Sequence, residues 1–247
     1  MARNKLKVGV LGATGSVGQK LIRLLHDHPW FEIHAVAASS RSAGQAFAAA
    51  AHWLEPSSLP SEVAKMEVVT VDEAKGCDLL FSALDGTTAA LVEPRLAAAG
   101  NTVVSNASAL RMNPEVPLVV PEVNPGHLDL VRSRTGGCVV TNPNCATVGL
   151  ALALKPLVDD FGVEAVDLTT LQAVSGAGYP GMPAMDILGN VVPHISGEAE
   201  KLEEEPGKIF GELRGSAIEP SSITISAQVT RVPVIEGHLL CVSVKLI

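Results

Sequence analysis

A glycine-rich loop between a predicted strand and a predicted helix limits the possible folds of this chain more than any other part of its sequence. Residues 7–11 form a β-rich run, residues 17–25 carry apolar side chains at helical spacing, and Gly12-Ala-Thr-Gly-Ser-Val-Gly18 joins them. Glycines allow a tight turn, and the helix N-terminus points backbone N–H groups at a diphosphate. The G-x-x-G-x-x-G spacing departs from the G-x-G-x-x-G fingerprint, but its place after a first strand predicts a Rossmann-like dinucleotide-binding domain. A glycine-rich turn without a ligand is the alternative.

The end of the second predicted strand indicates which dinucleotide binds. Residues 31–37 form that strand, and Ser39, Arg41 and Ser42 follow it without a carboxylate among them. An acidic residue there would accept hydrogen bonds from the ribose of NAD, whereas a cation and hydroxyl groups suit the 2′-phosphate of NADP. We therefore predict NADP, with a solvated Ser/Arg turn as the alternative. The residues expected to contact its diphosphate are Gly12, Ala13, Thr14, Gly15, Ser16 and Val17.

Two folding patterns follow one another along the chain. Short strands alternate with helices through the first half, which favours βαβ units and a parallel sheet. After a helix predicted over residues 145–161, longer strands with few helices favour an antiparallel sheet. The predicted fold class is therefore α/β, with an N-terminal Rossmann-like NADP-binding domain over residues 1–144 and a second α+β domain, built on a mostly antiparallel sheet, over residues 145–247. Residues 242–247 have a mid-strand pattern, so we expect the second domain to be incomplete at its C-terminus.

Charge and composition exclude several classes of protein. The net charge of −8 argues against a sequence-independent grip on nucleic acid. No uncharged apolar run approaches the roughly 20 residues of a membrane-spanning helix, and residues 1–7 run into a strand without a secretory signal. The four cysteines are dispersed and form no CxxC or Cys/His cluster, so we expect no metal site, no disulfides and a cytoplasmic location.

One cysteine differs from the other three in its local sequence. Cys145 follows Asn142-Pro-Asn144 and begins a predicted helix, where the helix dipole would stabilise a thiolate. A thiolate is the nucleophile that attacks an aldehyde, an acyl phosphate or a thioester. A buried, inert cysteine is the alternative for this residue, and it is the expectation for Cys77, Cys138 and Cys241. Cys145 is therefore a candidate nucleophile.

Six segments, in one order over nearly the whole chain, match a known family. Besides the glycine loop they are Ser105-Asn-Ala-Ser-Ala-Leu-Arg111, Thr141-Asn-Pro-Asn-Cys145, Leu171-Gln-Ala-Val-Ser-Gly-Ala-Gly-Tyr-Pro-Gly181, Gly197-Glu-Ala-Glu-Lys201 and Arg231-Val-Pro-Val-Ile-Glu-Gly-His238. The chain resembles the aspartate-semialdehyde dehydrogenases, most closely the archaeal and fungal type. This resemblance implies NADPH-dependent reduction of β-aspartyl phosphate to aspartate semialdehyde and phosphate, a step toward lysine, threonine and methionine. It also implies that the chain lacks the C-terminal part of the family's chain.

The resemblance assigns roles to individual residues. Cys145 resembles the nucleophile and His238 the general acid/base. The positions that resemble substrate-binding residues are Arg111 and Lys201 for phosphate, Gln172 beside the cysteine, Arg231 for the α-carboxylate and Glu198 for the α-amino group. Further cofactor contacts are expected from Ser82, Ser175 and Gly176. Residues 203–205, three successive glutamates, are expected to form an exposed helix face.

The resulting hypothesis is an NADP-dependent, phosphorylating aldehyde dehydrogenase that works through a cysteine thioester. Two alternatives stay open at this point: a malonyl-CoA reductase of the same family, and a catalytically inactive NADP-binding fragment. N-acetyl-glutamyl-phosphate reductase is a more distant relative with the same chemistry. The expected partners are a small-molecule substrate and, from the resemblance, further copies of the chain in a homodimer or homotetramer, with the sheet of the second domain at the interface.

Overall fold

A computed structural model describes residues 4–132 and 134–247 of the protein. Residues 1–3, which begin the stretch for which the sequence predicts no secretory signal, and residue 133 lie outside the described residues. Contacts between residues divide the described chain into two units. None of the helices in these ranges is both long and apolar enough to cross a membrane.

The first unit contains a six-stranded sheet with helices between the strands. Its strands are β1 (Leu6–Leu11), β2 (Phe31–Ala38), β3 (Val68–Thr70), β4 (Leu79–Ser82), β5 (Thr102–Ser105) and β6 (Cys138–Thr141). Its helices are α1 (Ser16–Leu25), α2 (Phe47–Ala50), α3 (Ser61–Ala64) and α4 (Gly86–Ala98). The strand order is β3-β2-β1-β4-β5-β6, and β1 pairs in parallel with both β2 and β4. This is the order of a doubly wound Rossmann-type sheet, which confirms the predicted α/β class.

The strand order determines where the glycine loop lies. The chain runs outward from β1 through β2 to β3 and then returns to the other side of β1 as β4, so the order reverses between β1 and β4. Ligands of open α/β sheets bind beside such a reversal, outside the carboxyl ends of the strands. The loop begins at Gly12, directly after β1, and therefore lies at this position.

Buried apolar side chains hold both ends of the loop. Val8 and Val10 of β1 are fully buried, as are Ile22 of α1 and Val36 of β2. Complete burial of such a side chain contributes about 1.5–3 kcal/mol to folding. The loop therefore begins and ends on elements that the core of the first unit holds in place.

The second unit is built on a three-stranded sheet and two long helices. Its helices are α5 (Asp129–Arg132), α6 (Cys145–Phe161), α7 (Ala184–Ile187) and α8 (Glu198–Ile209). Its strands are β7 (Val163–Gln172), β8 (Glu212–Arg214), β9 (Ala217–Glu219), β10 (Thr224–Arg231) and β11 (Leu239–Leu246), and β8 and β9 form a separate antiparallel pair. Leu150 and Leu154 of α6 and Leu202 of α8 share one core cluster with Val166 and Leu168 of β7.

The three-stranded sheet, in the order β10-β7-β11, is mixed, whereas the sequence predicts a mostly antiparallel sheet. β11 pairs with β7 in antiparallel fashion, but β10 pairs with β7 in parallel. The chain leaves β7, passes through α8 and returns as β10, and a crossover connection through a helix gives a parallel pair. Its register sets Arg231, the last residue of β10, beside Gln172, the last residue of β7.

The two units differ from the predicted domains, 1–144 and 145–247, in two segments, because the second unit also begins again at residue 141 rather than 145. Residues 110–132 belong to the second unit, and the chain then returns to the first unit for residues 134–140. The physical reason is packing, because Leu118 and Val120 share a core cluster with Ala151 of α6 and Ile209 of α8.

Candidate active site

Cys145 is the first residue of α6, as the sequence predicts, and Asn144 sets its position. Asn144 is the N-cap of the helix, and its Oδ1 accepts a hydrogen bond from the N–H of Ala146 at 2.9 Å. This bond satisfies an N–H group that has no partner within the helix. Residue Cys145 is partly open to solvent, so a dissolved substrate can reach it, while the surrounding protein still desolvates its thiol.

The imidazole of His238 lies next to this sulfur. Its Nε2 is 3.2 Å from Cys145 Sγ. Its Nδ1 accepts a hydrogen bond from the N–H of Ala173 at 3.1 Å. A neutral imidazole whose Nδ1 accepts carries its proton on Nε2, so the neutral ring donates toward the sulfur. The structure thus brings together the residues that the sequence predicts as nucleophile and acid/base.

The ionisation of the pair differs from the expectation that the helix dipole stabilises a thiolate. Desolvation raises the pKa of the Cys145 thiol, and the negative charge of Glu198 raises it further. The N–H groups of Ala146 and of Cys145 itself lower this pKa only in part. Desolvation, followed by the positive charge of Arg231, lowers the pKa of His238. Near neutral pH the resting pair is therefore a thiol and a neutral imidazole.

Arg231 and Gln172 lie side by side at the ends of their strands and are 5% and 1% exposed. Arg231 Nη1 donates to the carbonyl oxygen of Ala173 at 2.8 Å. The backbone of Ala173 therefore contacts both Arg231 and His238. Gly176 lies against the same two side chains, because a Cβ there would be 2.7 Å from Arg231 Nη1 and 3.2 Å from His238 Cε1. One short segment thus positions both predicted residues.

Glu198 and Lys201, in the first turn of α8, complete the cluster of polar side chains around Cys145. Glu198 Oε2 accepts from Asn144 Nδ2 at 2.8 Å, and Oε1 accepts from Lys201 Nζ at 2.6 Å. Burial raises the pKa of Glu198, but the hydrogen bonds from Lys201, Asn144 and Gln172, with the charge of Lys201, lower it overall. The carboxylate is therefore ionised at neutral pH and can bind a positively charged amino group.

Arg111 is joined to the same group through Glu205, which the sequence places on an exposed helix face. Glu205 is 1% exposed, whereas Glu203 and Glu204 are exposed, so the expectation is wrong for this one glutamate. Successive helical residues differ by about 100° in direction, which turns the third glutamate inward. Glu205 Oε1 accepts from Arg111 Nη1 at 2.9 Å, and Oε2 accepts from the backbone N–H of Asn144 at 2.7 Å.

The glycine loop of the first unit has the geometry that a dinucleotide requires. Gly12 has a φ of +73°, and a Cβ at Gly18 would lie 2.2 Å from the carbonyl oxygen of Gly12, so the turn and its packing need these two glycines. Gly15, the N-cap of α1, has no such close neighbour, and no side chain caps the helix. An anion can therefore approach the first-turn N–H groups, and these residues fit a dinucleotide diphosphate.

The other predicted cofactor residues are divided between exposed and buried positions. Residues 39–42 follow β2, and Arg41 is exposed among them. The N–H of Ala13 in the glycine loop donates to the carbonyl oxygen of Ala37 in β2 at 2.9 Å, so the loop and this strand end are adjacent. The side chain of Ser82 is fully buried, so any cofactor contact from Ser82 would come from its backbone. Ser175, like Gly176, is exposed in the second unit.

The remaining cysteines do not join the site. Cys77 and Cys138 are partly buried, and burial raises the pKa of Cys77. Cys241 is exposed, contrary to expectation, because β11 presents it on the uncovered face of the sheet opposite Thr169. Among residues 4–132 and 134–247, no three His, Cys, Asp or Glu side chains lie together as metal ligands do.

Three groups that the sequence does not predict contribute to the site: the N–H of Ala173, the carboxylate of Glu205 and the ammonium of Lys208. Lys208 is 2% exposed, and burial lowers the pKa of its side chain to about 8. The role of a backbone N–H cannot be read from residue type. Glu205 and Lys208, however, repeat the E-x-x-K spacing of Glu198 and Lys201 seven residues later, and that repeat is a signal that identifies them.

Known proteins share both halves of this chain. It matches the model of the semialdehyde dehydrogenase NAD binding domain over residues 7–131 and that of the semialdehyde dehydrogenase dimerisation domain over residues 154–247. It is 49% identical to an aspartate-semialdehyde dehydrogenase of Methanothermobacter thermautotrophicus, over 98% of this chain and 71% of that protein. It is 46% identical to the enzyme of that name from Schizosaccharomyces pombe, over 97% of this chain and 70% of that protein.

Solved structures agree with this result. An aspartate semialdehyde dehydrogenase with NADP from Candida albicans matches with a TM-score of 0.92 and 45% identity, over 98% of this chain and 72% of that one. Aspartate semialdehyde dehydrogenase II complexed with ASA from Vibrio cholerae matches with a TM-score of 0.79 and 28% identity, over 99% of this chain and 75% of that one. Relatives of this name are 45–49% identical to the chain and align with 97–98% of its residues. The chain therefore belongs to the aspartate-semialdehyde dehydrogenase family.

Proposed function

We propose that the protein catalyses the NADPH-dependent reduction of β-aspartyl phosphate to aspartate semialdehyde and phosphate in amino-acid biosynthesis. The observation that carries this proposal is the contact between Cys145 and His238, at 3.2 Å, within a group of charged side chains. That group offers a nucleophile, an acid/base and separate binding partners for a carboxylate and an ammonium. An amino acid with an activated side-chain carboxyl presents these same groups.

In the proposed reaction Cys145 is the nucleophile and His238 is its acid/base partner. The thiol proton passes to the departing phosphate as the sulfur bonds to the acyl carbon of the substrate and the bond from that carbon to the phosphate oxygen breaks. The Nε2–H of His238 donates to the sulfur and stabilises the negative charge that it carries when it attacks and when it leaves. The thioester that remains is reduced at its carbonyl carbon, and the tetrahedral species then releases the aldehyde and the sulfur. A covalent intermediate of this kind divides one difficult displacement into two easier ones.

The charged residues bind the substrate in this scheme. Arg231 holds the α-carboxylate with two parallel hydrogen bonds, next to Gln172, and Arg111 and Lys201 bind the phosphate. Glu198 holds the α-ammonium group. Because the carboxylate of Glu198 raises the pKa of the Cys145 thiol, a substrate ammonium beside it would favour the thiolate when substrate is bound.

The glycine loop, residues 12–17, holds the cofactor diphosphate, and Ser39, Arg41 and Ser42 hold the 2′-phosphate. NADPH, when bound, supplies the hydride that reduces the acyl carbon. We include Ser175, Gly176 and the backbone of Ser82 among the cofactor contacts. The exposed N-terminus of α1, which no side chain caps, supports this assignment.

The cofactor proposal predicts the effect of removing one cation. We expect Arg41→Ala to raise the KM for NADP by about tenfold, because a charge-assisted contact to the 2′-phosphate is lost, and to leave the KM for NAD unchanged. Steady-state kinetics with both dinucleotides measure this. A preference of the unchanged protein for NAD would contradict the proposal.

The activity is tested in the oxidative direction with aspartate semialdehyde, phosphate and NADP, by following the formation of NADPH. We expect activity that requires phosphate, and Cys145→Ser should lose at least about a thousandfold in kcat while it keeps its affinity for NADP. Malonyl-CoA, tested with NADPH in the reductive direction, should not be a substrate. A Cys145→Ser variant with near-normal turnover, or a preference for malonyl-CoA, would contradict the proposal.

We further propose that the protein works as a homodimer or homotetramer in the cytoplasm. The match to a dimerisation domain supports self-association, and the outer face of the three-stranded sheet offers a surface with Leu239 and Cys241 exposed. An exposed nucleophilic thiol stays reduced in a reducing compartment, which favours the cytoplasm. Light scattering on the purified chain would give the number of copies, and a monomer at micromolar concentration would contradict the assembly.

A further inference from the structure

Two glutamate–lysine pairs lie on one side of α8, seven residues apart. The first pair, Glu198 and Lys201, belongs to the site, and the proposed chemistry gives each residue a role. The second pair, Glu205 and Lys208, is 1% and 2% exposed, and the charged atoms of both side chains bind groups of the protein itself. Charged groups are rarely buried this completely unless specific partners require them.

The carboxylate of Glu205 joins two segments that are distant in sequence. Its Oε1 accepts from Arg111 Nη1 at 2.9 Å, 94 residues away, and its Oε2 accepts from the N–H of Asn144 at 2.7 Å, 61 residues away. Arg111 is the proposed phosphate ligand, and Asn144 is the N-cap that sets the position of Cys145. One carboxylate oxygen of Glu205 thus contacts the phosphate ligand Arg111, and the other contacts the segment that carries Cys145. Both of these groups act when phosphate leaves.

Lys208 fixes the backbone of the same segment. Its Nζ donates to the carbonyl oxygens of Arg111, Asn113 and Val116, the last two at 2.6 Å each. Glu205 therefore holds the side chain of Arg111 while Lys208, one helical turn later, holds its main chain. Both anchors come from α8, whose first turn carries Glu198 and Lys201.

We propose that Glu205 is a positioning residue that holds the phosphate-binding guanidinium of Arg111 in register with the segment that carries Cys145, and that Lys208 anchors the backbone of Arg111. This inference rests on the proposed function for the phosphate role of Arg111. It deepens that function, because the leaving-group ligand and the nucleophile then depend on one buried carboxylate. A misplacement of about 1 Å in such a group can cost about a hundredfold in rate.

The test uses the full chain and a readout that does not need turnover. Iodoacetamide alkylates Cys145, peptide mapping by mass spectrometry gives the rate, and inorganic phosphate serves as the protecting ligand. Glu205→Gln keeps the shape of the side chain, but its amide oxygen accepts from one partner while its NH2 group faces the other donor. We expect the phosphate concentration for half-protection to rise by about tenfold or more, because a charge-assisted contact that orients Arg111 is lost.

The matched control is Glu204→Gln, an exposed glutamate one position earlier, which should keep the half-protecting phosphate concentration within about twofold.

If Glu205→Gln does not fold, Glu205→Asp decides, because it keeps the charge beside Arg111 but is too short to reach both partners. A merely structural role would lower the melting temperature and leave phosphate protection of the folded protein unchanged. In the oxidative reaction, the KM for phosphate should rise more than the KM for aspartate semialdehyde.

The outcomes separate this inference from the proposed function. A shift in phosphate protection without any dehydrogenase activity would support the inference and contradict the proposed function. Folded Glu205 variants that match Glu204→Gln in both protection and KM would overturn the inference and leave the proposed function unaffected. Absence of phosphate protection in the unchanged protein would also overturn it.

Discussion

The glycine loop of the first unit and the cysteine site of the second unit are held in their conformations by different kinds of interaction. The loop relies on backbone: Gly12 adopts a positive φ, Gly18 allows close packing, and the N-terminus of α1 has no side-chain cap. The cysteine site relies on side chains from distant segments, and hydrogen bonds link Cys145 to His238 and Asn144 to Glu198. A short stretch of sequence therefore specifies the loop, whereas the site exists only when several elements pack together.

This difference also appears in the electrostatics. The dipole of α6 favours a thiolate at Cys145, but the packing that assembles the site desolvates the sulfur and brings Glu198 close to it, and the net effect raises the pKa of the thiol. The local sequence is therefore enough to predict the geometry of the loop, but it is not enough to predict the ionisation of Cys145. Substitutions that add a Cβ to a glycine, or that remove a single charge, test this difference.

Among these substitutions the largest effect is expected for Gly176→Ala, because Gly176 lies against two side chains of the cysteine site. A Cβ there would be 2.7 Å from Arg231 Nη1, and the φ of this glycine is one that alanine can adopt, so only the added carbon matters. We expect Gly176→Ala to lower kcat/KM by about a hundredfold, because Arg231 and His238 are displaced from the sulfur. Steady-state kinetics of the folded variant measure this.

Gly149→Ala is the matched control for Gly176→Ala. Gly149 lies in α6 and is exposed, and an added Cβ there would have no atom within 4 Å beyond the backbone of its own helix. Alanine there should keep the activity and raise the free energy of unfolding by about 0.5–1 kcal/mol, because glycine is a poor helix former. Equal activities of the two variants would show that the segment at Gly176 does not position the site.

The next effects distinguish the roles of Gly15 and Gly18 in the loop. Gly15→Ala should keep the fold and raise the Kd for NADP by about tenfold, because a methyl group keeps the diphosphate away from the N–H groups. Gly18→Ala should instead lower the free energy of unfolding by about 1–3 kcal/mol, because its Cβ overlaps the backbone of Gly12. Fluorescence titration and chemical denaturation measure the two quantities, and the reverse assignment would contradict the description of the loop.

The smallest effect concerns the pH dependence of Cys145. The negative charge of Glu198 raises the pKa of the thiol, and the same charge raises the pKa of His238 against the effects of desolvation and Arg231. Removing the charge with Glu198→Gln should therefore move the midpoint of Cys145 alkylation to lower pH. The rate of alkylation by iodoacetamide as a function of pH measures this, and a midpoint that stays in place or moves upward would contradict the account.

Much of this organisation could be predicted from the sequence, and the exceptions have physical reasons. The glycine loop and the helix that begins at Cys145 depend on local patterns, and the structure has them where they are predicted. The parallel pairing of β10 with β7 depends on a crossover through α8, and the pattern of a single strand carries no information about it. The burial of Glu205 does not follow from local charge density, which does not show which of three adjacent glutamates turns inward, and only the E-x-x-K spacing that it shares with Lys208 distinguishes it.

The central claim is that the sulfur of Cys145 bonds to the carbon that is reduced. Mixing the protein with aspartate semialdehyde and NADP in the absence of phosphate tests it directly, because the acyl group then has no phosphate acceptor. We expect a burst of about one NADPH per chain and a mass increase, equal to a β-aspartyl group, on the peptide that contains Cys145. Steady NADPH formation without a burst, or an adduct on Cys77, Cys138 or Cys241 alone, would contradict it.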